Sequence, residues 1–316
     1  MKRILSVMLV IVFVMSLSAC VRISNPEIQK PKDVFVNSTV GEESMLPNDS
    51  SAGNSNVSEI QITEPPTKQE ATITETVLVD EAGVKITAKS LSTDGFVGPE
   101  IKLLIENNSG KNLTFQCRNA SVNGYMIDTL MSVDVVNGKK ANDTITFMES
   151  DLEACGIHTI ADMEMSFHIF DSADWTDYLD TPQIQIKTSA AGTYEYTFDD
   201  SGDVAYDGND VKIVVKGLSQ DASVFGPSIV VYIENNSDED ITVQTRDVSI
   251  NGFMVDAIFS SDIIAGKHAV DTITFFSSDL EENESSEIET AELSFHIFDL
   301  HNWNTITDSD VVVIIF

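Results

Sequence analysis

Positive charge is scarce in this sequence. Its 316 residues hold 18 Lys plus Arg against 51 Asp plus Glu, a formal net charge of −33. A surface of that sign repels phosphate backbones, and no basic stripe offsets it, so nucleic acid is excluded as a partner. Docking on anionic lipid through side-chain charge alone is disfavoured as well. Cations, basic proteins and neutral glycans remain compatible, alongside the plainer role of acidic charge in solubility. Long apolar runs are also lacking beyond the N-terminus, and the final Val311–Phe316 has only the length of a strand. There is no G-x-S-x-G elbow, H-E-x-x-H pair, phosphate-cradling glycine loop or C-x-x-C. No cofactor is implied, and the chain is not expected to be an enzyme. What is present is 42% hydrophobic residues, enough to build cores, in a length that suits two domains.

The first residues, Met1-Lys2-Arg3, precede an apolar run from Ile4 to Leu17. That is a secretory signal, too short to span a bilayer comfortably. The following Ser18-Ala19-Cys20 resembles the lipobox of bacterial lipoproteins. The resemblance implies a signal peptide over 1–19, cleavage before Cys20 and a lipid on that cysteine. The protein would then be extracytoplasmic and anchored to the cell membrane. From Val21 to about Thr76 the composition turns to Ser, Asn, Thr, Glu and Pro, with no aromatic after Phe35. Such a stretch buries too little apolar surface to offset ordering. Residues 20–76 therefore read as a disordered tether of roughly 40 Å end to end.

Beyond it the chain repeats itself. SFHIFD occurs at Ser166–Asp171 and at Ser294–Asp299, and at that offset of 128 there are 38 identities among the 74 positions from Gly98 to Asp171. GPEIKLLIENNS parallels GPSIVVYIENNS, and SVNGYMID parallels SINGFMVD. A period this long fits whole domains rather than solenoid units. The expected boundaries are 77–188 for the first repeat, 189–203 for a linker and 204–316 for the second. Within each repeat apolar residues alternate with polar ones, as in Val84, Ile86 and Ala88 against Lys85, Thr87 and Lys89. Asn123-Gly124 and Asn251-Gly252 are strong hairpin signals. Ser150-x-x-Glu153 and Ser278-x-x-Glu281 have capping-box spacing, so one short helical turn is expected in each repeat.

Seven or eight short strands per repeat predict an all-β chain of two tandem antiparallel β-sandwich domains of immunoglobulin type, with a small barrel as the alternative. The lipobox, the polar tether and the paired IENNS…NG…SFHIFD domains resemble surface lipoproteins of Gram-positive bacteria with immunoglobulin-like domains. That resemblance implies location and fold and supplies no catalytic residues.

Cys117 and Cys155 lie in the first repeat only, opposite Thr245 and Asn283 of the second. Export permits a disulfide between them, worth about 4 kcal/mol; two unrelated thiols are the alternative. His168 and His296 stand alone and read as strand histidines rather than metal ligands. The acidic Asp199–Asp210 invites a weak divalent-cation site, weighed against a solvated linker and turn, and it lacks the glycine and closing Glu of an EF-hand. Trp175 and Trp303 occupy equal places. Each either caps the end of a core or, if exposed, binds a ligand. Arg118 and Arg246 are rare cations shared by both repeats, suited to an internal ion pair or hydrogen-bond anchor, with a local ligand contact as the alternative. Non-catalytic binding of protein or glycan at the envelope is the leading expectation, and a spacer without a ligand is the rival. Exposed indoles would favour the first and buried indoles the second.

Overall fold

The computed structural model describes residues 28–37, 71–219, 225–283 and 287–316. They are mostly strands in antiparallel sheets, with two six-residue helices, Glu149–Ala154 and Ser277–Glu282. The expected signal peptide, Cys20 and residues 38–70 lie outside the described residues.

Each repeat is built from two layers. In the first repeat one sheet runs in the order Thr76–Glu81, Val84–Ser92, Glu100–Asn107, Lys139–Phe147, Thr129–Leu130. The other centres on Leu113–Val122, flanked by Ser132–Val135 and by Asp162–Asp171. Asp177–Asp180 and Ile184–Lys187 pair with the outer side of Asp162–Asp171. The inward positions of both layers meet in one apolar cluster, with Ile86, Ile101, Ile105 and Phe147 from the first and Phe115, Phe167 and Ile169 from the second. The second repeat has its own cluster around Ile213, Ile233, Phe275, Phe295 and Ile297. Period-two alternation has thus done what it should, placing every second residue in a core.

The duplicated motifs explain themselves locally. In SVNGYMID, Asn123 and Gly124 have φ of 52° and 89° and close Val122 onto Tyr125 in a two-residue hairpin; Asn251 and Gly252 repeat this at 51° and 83°. That pair of positive φ values is what a type I′ turn demands. In IENNS the fully buried Asn107 donates its amide to the carbonyls of Lys111 (2.8 Å) and Val135 (2.6 Å) and accepts from the Ser109 N–H (3.0 Å) and hydroxyl (2.6 Å). Asn235 makes the same four bonds, to Glu239, Ile263 and Ser237. One amide side chain therefore ties the strand end to the loops beyond it. Gly98 packs so closely that a Cβ would sit 1.9 Å from the Phe147 carbonyl oxygen, and Gly226 repeats the approach at Phe275. The capping boxes do not form. Met148 and Phe276 are the N-caps, without side-chain caps, and Ser150 lies inside its helix.

Two readings of the connecting segments need correction. Residues 28–37 belong to the fold. Asp33–Asn37 adds an antiparallel strand to Val311–Ile315, and Ile28–Gln29 pairs with Leu218–Ser219. The reason is local: Val34-Phe35-Val36 is a short strand-forming run whose Val34 packs on the second core, and the last strand of the chain gains a partner for its edge. A polar average over 57 residues hides a five-residue strand. The expected linker is also packed. The Ser189 N–H donates to the Thr72 carbonyl (2.8 Å), and Tyr196 and Phe198 pack against the first core.

The repeats are joined by more than the linker. The Gly124 carbonyl accepts the His268 N–H at 3.0 Å, and this parallel bridge fuses a sheet from each repeat into one of 12 strands. Tyr125 sits among Tyr196, Phe198, Tyr232 and His268, with centroids 5.2–6.4 Å away. Lys267 pairs with Glu164 across the junction at 2.6 Å.

Candidate functional sites

The strand ending in SFHIFD turns back through a tight hairpin. The Asp171 N–H donates to the Thr176 carbonyl, and the Trp175 N–H donates to the Asp171 carbonyl, both at 2.9 Å. The Asp171 carboxylate accepts the Ala173 N–H at 3.0 Å and faces Lys111 at 3.1 Å. The Ala173 bond first, then Lys111, holds its pKa below the usual carboxylate value. Asp299 builds the equal turn and is likewise lowered, by the Asn302 and His301 N–H groups.

The last residue of each turn is the tryptophan, in the left-handed region at φ 66° for Trp175 and 63° for Trp303. That conformation costs an L-residue roughly 1–2 kcal/mol and is usually left to glycine or asparagine. It lays the indole over the preceding phenylalanine. Trp175 stacks on Phe170 (5.5 Å, 13°) and Trp303 on Phe298 (5.8 Å, 19°). The stacks continue to His168 and His296, each bonded to a carboxylate, Asp180 or Asp308, at 2.6 Å. Alternation puts Phe170 and Phe298 on the face opposite the core residues Phe167 and Phe295, where only polar or exposed side chains are expected, yet both are 5% exposed beneath the indoles. The indoles themselves are 59% and 74% exposed. Each tryptophan thus shields a phenylalanine with one face and offers the other to solvent.

The remaining candidates fall out differently. Cys117 and Cys155 are free, buried thiols, the unbonded one of the two readings. Cys117 is mid-strand opposite Phe167, whereas Cys155 ends the helix Glu149–Ala154. Burial pushes the Cys117 thiol up to about 11 and raises Cys155 too, so neither is poised as a nucleophile. His168 and His296 are spoken for by their carboxylates. Arg246 pairs with Asp308 at 3.2 Å, while Arg118 donates to Gln116. In the acidic stretch the Asp199 and Ser201 carbonyls hold the Lys216 ammonium. Among the described residues no three carboxylate, imidazole or thiol groups converge to hold a metal ion.

No protein-family model and no curated protein matches this chain.

One feature escaped sequence reading: a cavity of about 320 Å³ between the repeats. Asp128 and Asp151 of the first repeat face Asp262 and Asp271 of the second, with Arg118 and Cys117 in the wall. Asp128 and Asp262 are exposed, and Asp151 and Asp271 are half-buried. All four carboxylates are walled by protein on most sides. That enclosure raises all four pKa values, Asp151 to about 7 and Asp271 to about 6, and the Asp128 charge adds to both. The Asp128 N–H, bonded to Asp151 at 2.9 Å, opposes the rise. All four aspartates have identical counterparts in the other repeat, which was the available signal. Their meeting depends on which face of one repeat packs on which face of the other, and periodicity does not encode that.

Proposed function

We propose that the chain is an exported lipoprotein, held to the membrane by a lipid on Cys20, whose two immunoglobulin-like repeats bind envelope glycans without catalysis. The carrying observation is the pair of open indoles, set in the same strained turn of both repeats. Strain of this kind persists where surrounding structure over-determines it, often at ligand clamps. One indole face is used on phenylalanine, and the free face suits the C–H side of a sugar ring. Polar groups beside it, such as Asp171, Asp174 and Asn302, suit hydroxyls. A protein ligand would use the same indoles as anchors. A spacer has no use for two exposed, strained tryptophans. Two platforms on one chain also raise avidity for a repeating polymer.

On this reading the anchor is short. Seven residues lie between Cys20 and Ile28, a reach of at most about 29 Å, and Ile28–Asn37 is paired to the second repeat. The second repeat would therefore sit nearer the membrane, with residues 38–70 leading on to the first.

Residues 21–316 incubated with cell-wall glycan fragments and, separately, secreted proteins provide the test. Glycan should be retained, less by Trp175→Ala or Trp303→Ala, and not by the double variant. Retention that ignores the double substitution moves the site elsewhere, and retention of nothing favours the spacer.

A further inference from the structure

The contact between the repeats is heterologous: two different faces meet. The first repeat supplies Tyr125, Met126, Asp128, Asp151 and Glu164. The second answers with Tyr232, Asp262, Lys267, His268 and Asp271. Because the repeats are related by the offset of 128, each face exists twice. The second repeat carries the first kind again as Phe253, Met254, Asp256, Asp279 and Glu292, and the first carries the second kind as Leu104, Asp134, Lys139, Lys140 and Asp143. Both duplicates are open over most of their residues, with Leu104, Asp143 and Asp279 half-buried. Phe253 is 50% and Met254 67% exposed, against 7% for Tyr125, and Lys139, Lys140, Asp134 and Glu292 are exposed.

We propose that these two open faces are complementary, so that a second copy of this chain docks head to tail, repeating between chains the contact made within one. Glu292 of one copy meets Lys139 of the next as Glu164 meets Lys267, and the Phe253–Met254 hairpin packs over Leu104 and Lys140 as Tyr125 packs over Tyr232 and His268. A heterologous contact leaves a free face at each end, so copies add until a ring closes or a filament grows. The contact between chains is weaker than the one within. Tyr196 and Phe198 fill the internal junction, and Lys68 and Glu70 stand at the matching positions upstream of the first repeat. The inner contact also gains from tethering, which the outer one lacks. The net charge opposes association at long range, and at physiological salt a Debye length of about 8 Å screens most of that repulsion.

Sedimentation velocity on residues 21–316, which hold every described residue, tests this at 0.15 M salt over a range of concentrations. The average mass should rise above that of one chain with concentration. Lys139→Glu or Glu292→Lys should each weaken association roughly tenfold or more, since like charges then face each other, and the double variant should restore it. The exposed pair Phe253→Ser with Met254→Ser, which removes no core residue, should leave single chains. A constant single-chain mass overturns the proposal, as does association indifferent to these substitutions or a double variant that fails to recover.

Discussion

Tyr125 and Phe253 hold the same place in the same hairpin of the two repeats, yet one is 7% and the other 50% exposed. Their turns are alike to within a few degrees, because Asn-Gly dictates them locally. Their surroundings differ because only the first repeat has a neighbour on that face. A second contrast runs the other way. The last strand of the second repeat, Val311–Ile315, is paired on both edges, with Asp33–Asn37 and with Thr290–Leu293, whereas its counterpart Ile184–Lys187 pairs only with Asp162–Met165 among the described residues. Two repeats identical at about half of their aligned positions thus share backbone and core, and part company wherever burial depends on what lies outside the repeat.

Substitutions at equal positions of the two repeats should separate what is local from what depends on the neighbour. The largest difference belongs to the junction. Tyr125→Ala should cost about 3 kcal/mol by removing a buried ring from an aromatic cluster, whereas Phe253→Ala should stay within about 0.5 kcal/mol. Denaturant unfolding reads both; equal losses would mean that the junction contributes nothing. Next come Asn107→Ala and Asn235→Ala, which strand buried carbonyls of the loops. Each should lose about 2 kcal/mol, to the same extent, because the four-bond network is common to both repeats.

The cleft should show itself through pH. Its carboxylates have folded pKa values above their unfolded ones, so the folded state binds more protons than the unfolded state between about pH 4 and 7. Stability therefore falls as pH rises through that window. Melting should occur at lower temperature at pH 8 than at pH 5, and Asp151→Asn should flatten the profile and raise the melting temperature at pH 8. An unchanged profile would place the titration elsewhere. The smallest effect is none: with Cys117 and Cys155 as free thiols, reductant should leave the first repeat's melting unmoved, and a drop of several degrees would reinstate the bond.

Much of the fold was legible in the sequence because strands, Asn-Gly hairpins and duplication are written in spacing. Alternation places Phe167 and Ile169 in the core without further knowledge. It misplaces Phe170, because the covering group is an indole five residues on in a turn that puts tryptophan where glycine is usual. Trp175 and Trp303 could be named from the repeat, but their exposure follows from a backbone angle. The strand Asp33–Asn37 was lost in the average of a polar segment, and the aspartate cleft arises only when the two repeats dock.

If both indoles are open platforms, their fluorescence should show it. The chain contains two tryptophans, so Trp175→Phe and Trp303→Phe each leave a single emitter whose accessibility to a neutral quencher can be read directly. Red-shifted, readily quenched emission is expected from each variant, with quenching suppressed by bound glycan fragments. Blue-shifted emission shielded from quencher in the free protein would contradict it.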